Sequence, residues 1–355
     1  MTPAAAPVET RGVRTVVYAE TGGPEVLRLT DEPVPEPGPG ELRVRVVRSG
    51  VNPTDWKSRA GRGPGTAVDP PQIPGQDGAG VVEAVGAGVP ETWLGLDVWA
   101  FEAAFKRRWG TTSEQTLVRQ THLAPLPSAG TEGAPYDLGA ALGIPFLTAH
   151  RCLTVHEEGP LRLGPGTLQG RTVLVSGGAG AVGNAAIQLA RWSDATIITT
   201  VSGPAKGRLA AAAGADHVVD YRQTDVAEEV RRIAPGGVDV VVEVNPQANA
   251  AVLGRVLAPN ASVATYADDG GGAEVGVPVR PSMVRNVRWQ FVLVYTLPAA
   301  AKARAVDDVG AAVLDRAIGV GDAHGLPLLH FPLDQAAQAH AAVEQGAVGK
   351  VLITP

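Results

Sequence analysis

The chain has 355 residues, 45% of them hydrophobic and 19% charged, with a net charge of −6. That is a soluble globular composition, long enough for one large or two ordinary domains. Nucleic-acid and membrane partners are not expected. The densest basic run is Lys106-Arg107-Arg108, and no uncharged apolar run approaches the roughly 20 residues that cross a bilayer. The single cysteine, Cys152, can form neither an internal disulfide nor a structural zinc site by itself.

Met1 to Val8 lacks the basic start and apolar stretch of a signal peptide, so a cytoplasmic protein is expected. The first 12 residues are small and Pro-rich and read as a mobile lead-in. From Val13 to about Pro127 short β-like runs are broken by turns. In Leu42 to Val47 apolar and polar residues alternate, which predicts a strand with one face in water. Gly80 to Val85 reads as another strand, and Pro35, Pro37, Gly38, Pro39 and Gly40 punctuate the stretch.

Near residue 170 the rhythm changes. Strands are predicted at Thr172–Val175, Thr196–Val201, His217–Asp220, Val238–Val244 and Ala261–Tyr266. Helices are predicted between them at Val182–Trp192, Pro204–Ala213, Asp225–Ala234 and Ala248–Leu257. Continuous apolar strands alternating with helices suit a parallel sheet covered on both faces, the pattern of a doubly wound dinucleotide-binding domain. The apolar run from Phe291 to Tyr295 and a helix around Ala299 to Ile318 follow. Lys350 to Thr354 reads as a last strand that needs a partner sheet, and the first domain is expected to supply it.

Gly178-Ala179-Gly180-Ala181-Val182-Gly183 fits G-x-G-x-x-G, in the strand-to-helix setting the motif requires. The glycines permit a tight turn and a close approach to a pyrophosphate, and the helix N-terminus offers free N–H groups and partial positive charge. An NAD site would carry an acid at the end of the second strand. Here that stretch reads Val201-Ser202-Gly203-Pro204-Ala205-Lys206, which has a hydroxyl and an ammonium and no acid, so NADPH is preferred. Lys206 also reads as a solvated helix residue. Tyr221, past the third strand, reads equally as a phosphate contact or an edge packing residue.

The segments Gly50 to Asp55, Pro74 to Val82, Gly143 to His150, Gly177 to Gly183 and Gly214 to Tyr221 resemble the zeta-crystallin-like quinone oxidoreductases, a zinc-free branch of the medium-chain dehydrogenases. The resemblance runs from about residue 13 to the C-terminus. It implies an α/β protein in two parts: a Rossmann doubly wound parallel sheet at 148–296, and a GroES-like, mainly β catalytic domain made of 1–147 and 297–355. The cofactor would lie between them, with Ser202, Lys206 and Tyr221 on its 2′-phosphate and with Asn52 and Thr148 near the nicotinamide. Asn52 also reads as a turn residue before Pro53, and Thr148 as a helix N-cap or packed hydroxyl. Zinc-dependent relatives carry a Cys at Asn52-Pro53, a His-Glu pair at Gln76-Asp77 and a four-cysteine lobe. None is present here, so no metal is expected. Many quinone oxidoreductases place a Tyr shortly after the Asn-Pro-x-Asp motif, whereas this chain reads Trp56-Lys57-Ser58. The basic loop Phe101 to Trp109 reads either as an attractor of acidic substrates or as a plain solvated loop.

Without zinc to polarise an alcohol oxygen, the expected reaction is hydride transfer to a quinone or other electron-poor conjugated carbonyl. Asn52, Lys57 and backbone N–H groups are candidate donors to the developing oxyanion. No side chain stands out as an obligate acid, and water is a sufficient proton source. Two other readings stay open: an enoyl or enone reductase, and an NADPH-binding protein with a structural, sensing or RNA-binding role. The absence of a G-x-S-x-G elbow argues against a hydrolase. The run Arg288 to Tyr295 reads either as an edge strand paired with its twin in a homodimer or as a buried interior strand.

Overall fold

In a computed structural model of the chain, residues 12–127, 135–268 and 274–355 are described. All but Gly12 of the expected lead-in lies outside the described residues.

The apolar, β-branched runs between residues 172 and 291 form one six-stranded sheet. Its order is His217–Asp220, Thr196–Val201, Thr172–Ser176, Val238–Glu243, Leu257–Thr265, Arg288–Phe291. Every neighbouring pair is parallel. The chain starts at Thr172–Ser176 in the middle and reverses its direction of growth there, which opens a crevice at the carboxyl end of that strand. The helices between strands bury small residues against the sheet. Ala185, Ala186, Ile187, Leu189 and Ala190 of the helix Ala181–Trp192 are fully buried. Asp225 caps the helix Val226–Ile233, accepting the N–H groups of Ala227 and Glu228 at 2.8 and 3.0 Å, as a short carboxylate at this position commonly does.

The N-terminal runs and the C-terminal tail build a second, seven-stranded sheet. Its path is Leu328–Pro332, Lys350–Thr354, Glu41–Val51, Asp77–Val85, Asp97–Ala100 and Leu123–Pro125, and Gln115–Arg119 also pairs with Glu41–Val51. The tail does return to the first domain: Val351 faces Val51 and Leu352 faces Gly50 in an antiparallel pair. In Leu42 to Val46 the buried valines and leucine alternate with the outward Arg43 and Arg45, as the period-two pattern requires. A third, three-stranded sheet joins Arg28–Glu32, Val13–Glu20 and Ala67–Gln72.

The helix Pro135–Thr154 joins the two large sheets, and 17 of its 20 residues are buried. It runs through the expected domain boundary at 147/148. One apolar core takes Trp99 and Phe101 from one side, Phe146 from this helix, and Val173 and Leu189 from the other side. The two large sheets therefore share one packed helix.

The run Arg288 to Tyr295 is shorter as a strand than its composition suggests. Arg288–Phe291 is the outermost strand of the parallel sheet, and a 3-10 turn follows at Val294–Thr296. Phe291 and Leu293 are 66% and 53% exposed, so it is an edge and not a buried interior strand.

Candidate active site

Two recesses are formed by the described residues. The first, of about 210 Å³, is lined by Gly177, Ala179 and Gly180 of the phosphate loop, Val201, Ser202 and Lys206 after the second strand, and Tyr221 after the third. Gly346, Ala347 and Val348, which precede the last strand, complete it. The loop is built as its glycines require. Gly177 has φ +72°. A Cβ on Gly178 would lie 2.1 Å from Thr199 Oγ1, and one on Gly183 would lie 2.4 Å from the Gly177 carbonyl oxygen. Gly183 thus lets the helix sit directly behind the turn. Gly180 caps that helix without a side-chain cap bond. Its first N–H groups therefore receive no side-chain cap.

Of the sequence-derived cofactor residues, the structure brings Ala179, Gly180, Ser202, Lys206 and Tyr221 to one recess. Gly178, Ala181, Val182 and Gly183 shape the loop and helix behind it. Tyr221 is 52% exposed, so it is a surface group beside the recess rather than a packing residue. Among the described residues no carboxylate lines the recess. A hydroxyl, an ammonium, a phenol and free helix N–H groups form a donor set that fits a phosphate-bearing dinucleotide. Gly346 to Val348 escaped the sequence reading because they lie more than 120 residues away in a turn with no motif.

The second recess, of about 170 Å³, is lined by Tyr18, Asp55, Ser58, Gln72, Pro74, Gln76, Ala104, Phe105 and Lys106. Phe105 stacks on Tyr295 at 4.7 Å between ring centroids. The Tyr295 hydroxyl and Thr54 Oγ1 are 2.7 Å apart. A tyrosine is thus present beside the Asn-Pro-x-Asp motif after all, supplied from residue 295 rather than from the helix itself. Burial keeps its phenol well above its ordinary pKa, so it stays neutral. Of the three basic loop residues, Arg107 and Arg108 are held by Glu41 and Glu32. Lys106 lies over the Phe105 ring at 5.3 Å and faces the recess.

Beneath this recess lies a buried polar network that carries the sequence-derived Asn52. Asn52 Nδ2 donates to Asp77 Oδ2 at 2.7 Å, and its Oδ1 accepts from Lys350 Nζ at 2.8 Å. Asp77 also accepts the Ile144 N–H at 2.9 and 3.0 Å, and Lys350 Nζ stands 3.5 Å from it. All three side chains are at most 2% exposed. Glycines make room for the network. A Cβ on Gly50 would lie 2.9 Å from Lys350 Cε, and one on Gly143 would lie 2.1 Å from Asp77 Oδ1. The Gly50-to-Asp55 and Gly143-to-His150 segments are therefore two halves of one cage around an Asp-Lys pair. Burial pushes the Asp77 carboxyl up and the Lys350 ammonium down, each opposed by the other's charge.

Asn52 therefore turns both ends of its amide inward, and neither recess is lined by it. Its position before Pro53 starts the helix Pro53–Ala60. Lys57 is 42% exposed, with Nζ 3.9 Å from Asp268 Oδ1 and 5.9 Å from the Trp56 ring. Thr148 is buried within the helix Pro135–Thr154, one turn beyond Ile144, so it is no N-cap. Lys350 was missed by sequence reasoning because a lysine opening a terminal strand ordinarily reaches solvent. Among the described residues, no group of three or more His, Cys, Asp or Glu stands together as a metal site. No helix among them is long and apolar enough to cross a membrane.

The zinc-binding dehydrogenase profile matches residues 181–309, and the alcohol dehydrogenase GroES-like domain profile matches residues 38–128. A 2-haloacrylate reductase of Burkholderia sp is 30% identical over 97% of this chain and 99% of its own length. The quinone oxidoreductase of Rattus norvegicus is 28% identical over 96% of this chain and 97% of its own. The synaptic vesicle membrane protein VAT-1 homolog of Mus musculus is 32% identical over 72% of this chain, which spans only 59% of that longer protein. Among solved structures, a Pseudomonas syringae quinone oxidoreductase aligns with a TM-score of 0.79 at 26% identity, over 97% of this chain and 100% of its own. A mycobacterial protein complexed with NADPH aligns at 0.78 and 28% over the same shares. Fold, phosphate loop and relatives agree on a two-part dinucleotide-dependent class. The chain belongs to the medium-chain dehydrogenase/reductase superfamily, in its zeta-crystallin-like quinone oxidoreductase group, and is an oxidoreductase.

Proposed function

We propose that this oxidoreductase uses NADPH to reduce small electron-poor conjugated carbonyl compounds, quinones among them, without zinc. The observation that carries the reading is the recess in which the phosphate loop meets Ser202, Lys206 and Tyr221 with no carboxylate in its wall. When bound, NADPH supplies the hydride. The chain's own part is to hold the two reactants in register and to offer donors where negative charge develops. The solved NADPH complex of a similar mycobacterial protein supports the choice of cofactor.

The acceptor recess, about 170 Å³, is close to the volume of about 150 Å³ that admits one benzene ring in an engineered cavity. A single-ring quinone or a short enone fits this size better than a polycyclic acceptor. The positions that hold metal ligands in zinc-dependent relatives carry Asn52, Gln76 and Asp77, and Asp77 is already paired with Lys350. That supports a reaction in which the acceptor is polarised by hydrogen bonds alone.

A second reading, a reductase of conjugated acids, is favoured by Lys106 facing the recess and by the similar 2-haloacrylate reductase. The test is consumption of NADPH and NADH against benzoquinone, a polycyclic quinone, cyclohexenone, a haloacrylate and an alcohol run in reverse. Benzoquinone and cyclohexenone reduced with NADPH support the proposal, and haloacrylate alone supports the second reading. NADPH bound with nothing reduced favours a sensing or structural role.

We also propose that the exposed edge Arg288–Phe291 pairs with its twin in a homodimer, because an unpaired edge strand flanked by Phe291 and Leu293 invites association. Phe291→Lys together with Leu293→Glu is expected to convert a dimer to a monomer in light scattering at micromolar concentration. A wild-type monomer at that concentration refutes the dimer.

A further inference from the structure

We propose that Asp55 is the proton donor that completes the reduction. This rests on the proposed function and assigns the one step left open by it.

Asp55 is the third residue of the helix Pro53–Ala60 and is one of the residues lining the acceptor recess, with Tyr18 and Gln76. It is 3% exposed. Its Oδ2 accepts the Asn52 N–H at 2.7 Å and its Oδ1 accepts the Gln76 N–H at 3.0 Å. Two backbone donors from different segments fix the plane of the carboxyl. Among the described residues no cation bonds to it and its hydrogen-bond partners are these two N–H groups, whereas Arg59 on the same helix is bonded to Glu344 at 2.7 Å. A buried carboxyl without a cation at a solvent-reachable wall is better suited to hold a proton than a charge.

The charged and titratable surroundings agree. Asp77 pushes the Asp55 carboxyl up and Lys350 pulls it down, and burial outweighs both backbone bonds. The carboxyl titrates at about 7, where an acid is most effective near neutral pH. Tyr18 on the strand Val13–Glu20 and Tyr295 are phenols raised by burial and by this carboxyl, and stay neutral. Lys106 closes the outer side of the recess. Gln76 Oε1 is buried and makes no hydrogen bond within the chain, so an acceptor stands ready for the hydroxyl of a reduced product or for a water that resupplies Asp55.

The step balances as follows. Hydride forms a C–H bond at the β-carbon of the conjugated carbonyl, and the electron pair moves toward the carbonyl oxygen. The Asp55 O–H bond then breaks and its proton bonds to the α-carbon. The acceptor gains one hydride and one proton, NADPH becomes NADP⁺, and the Asp55 carboxylate takes a new proton from water.

The probes are cyclohexenone, whose α-carbon needs a placed acid, and benzoquinone, whose reduced oxygens take protons readily from water. With wild type, kcat on cyclohexenone is expected to be level below about pH 7 and to fall tenfold per unit above it. In Asp55→Asn, kcat on cyclohexenone should fall by about 10²–10³, at least ten times further than on benzoquinone, and its fall above neutrality should vanish. Equal losses on both acceptors, or a retained pH profile, would make Asp55 a structural cap and overturn the proposal. Should the variant not fold, the wild-type cyclohexenone profile decides, because a level profile through pH 9 removes Asp55 as donor. No NADPH oxidation by wild type with either acceptor would sink the proposed function, and the donor with it. Turnover of both acceptors with a level pH profile would sink the donor alone.

Discussion

Lys350→Met is expected to destabilise the protein by about 3–5 kcal/mol, the usual cost of removing one partner of a buried ion pair. The substitution takes the cation from Asp77 and the Lys350 ammonium donor from Asn52 Oδ1. Asp77 is then a fully buried carboxylate held by one backbone N–H and one amide. For a chain of this size the loss corresponds to a melting temperature lower by roughly 10 °C. The effect should depend on pH, and its sign is fixed. Burial raises the folded pKa of Asp77 above its unfolded value, and loss of the ammonium raises it further. Such a carboxyl contributes stability that is complete below its unfolded pKa and is lost as pH rises through the folded one. The deficit of Lys350→Met should therefore be smaller at pH 5 than at pH 8. Adding Asp77→Asn should recover part of the loss, with a coupling of about 0.5–3 kcal/mol between the two sites. Thermal and denaturant unfolding of the four proteins checks this. Additive losses that do not change with pH would mean that water reaches the cage and that the pair is no more than a solvated contact.

This cage also marks the boundary of what the sequence made legible. The parallel sheet was readable because each of its strands is a local event. Thr196–Val201 and His217–Asp220 end where their β-branched runs end, and period and turn chemistry are properties of neighbours in the chain. The phosphate loop was readable for the same reason. Ser202, Lys206 and Tyr221 could be expected at one recess because they follow successive strands whose carboxyl ends converge. Lys350 and Asp77 carry no such signal. Their pairing depends on the tail lying antiparallel to Glu41–Val51, which in turn lies beside Asp77–Val85. Only that double register brings residues 273 positions apart to 3.5 Å.

Asn52 shows the limit most clearly. Its motif pointed to the nicotinamide, whereas its amide bridges Asp77 and Lys350. A motif identifies a position that cannot vary freely, and either chemistry or caging can be the cause. Tyr295 makes the complementary point. Absence of a tyrosine at one place in the motif did not predict its supply from the turn after the edge strand, because a recess wall is assembled from remote segments. Glu102, at φ +53° and joined to Lys302 at 2.7 Å, similarly anchors the loop that brings Phe105 against Tyr295, and neither residue belongs to a motif.

Lys206→Ala is expected to weaken NADPH binding by about 10-fold at low salt and to leave NADH binding within twofold. A hydrogen bond to a charged group is worth about 1.5–3 kcal/mol, which spans 10-fold to over 100-fold in Kd. The lower end applies here, because Lys206 is exposed and its charge is screened. By the same argument the 10-fold effect should shrink as ionic strength rises from about 0.02 to 0.5 M, where the Debye length falls below about 5 Å. Ser202→Asp should act more strongly. It places a carboxylate in a recess wall that has none, repelling a 2′-phosphate while offering an acceptor to ribose hydroxyls. With Lys206→Ala added, the preference should invert toward NADH. Gly177, Ala179 and Gly180 are untouched, so the pyrophosphate cradle remains and folding should be unchanged. Fluorescence titration of both cofactors at two salt concentrations decides the matter. A salt-dependent loss confined to NADPH assigns the 2′-phosphate to this recess. Equal losses for both cofactors would place Lys206 on the pyrophosphate instead. No loss for either would leave Ser202 and Tyr221 as ribose contacts and make the absence of an acid a weak guide to cofactor choice.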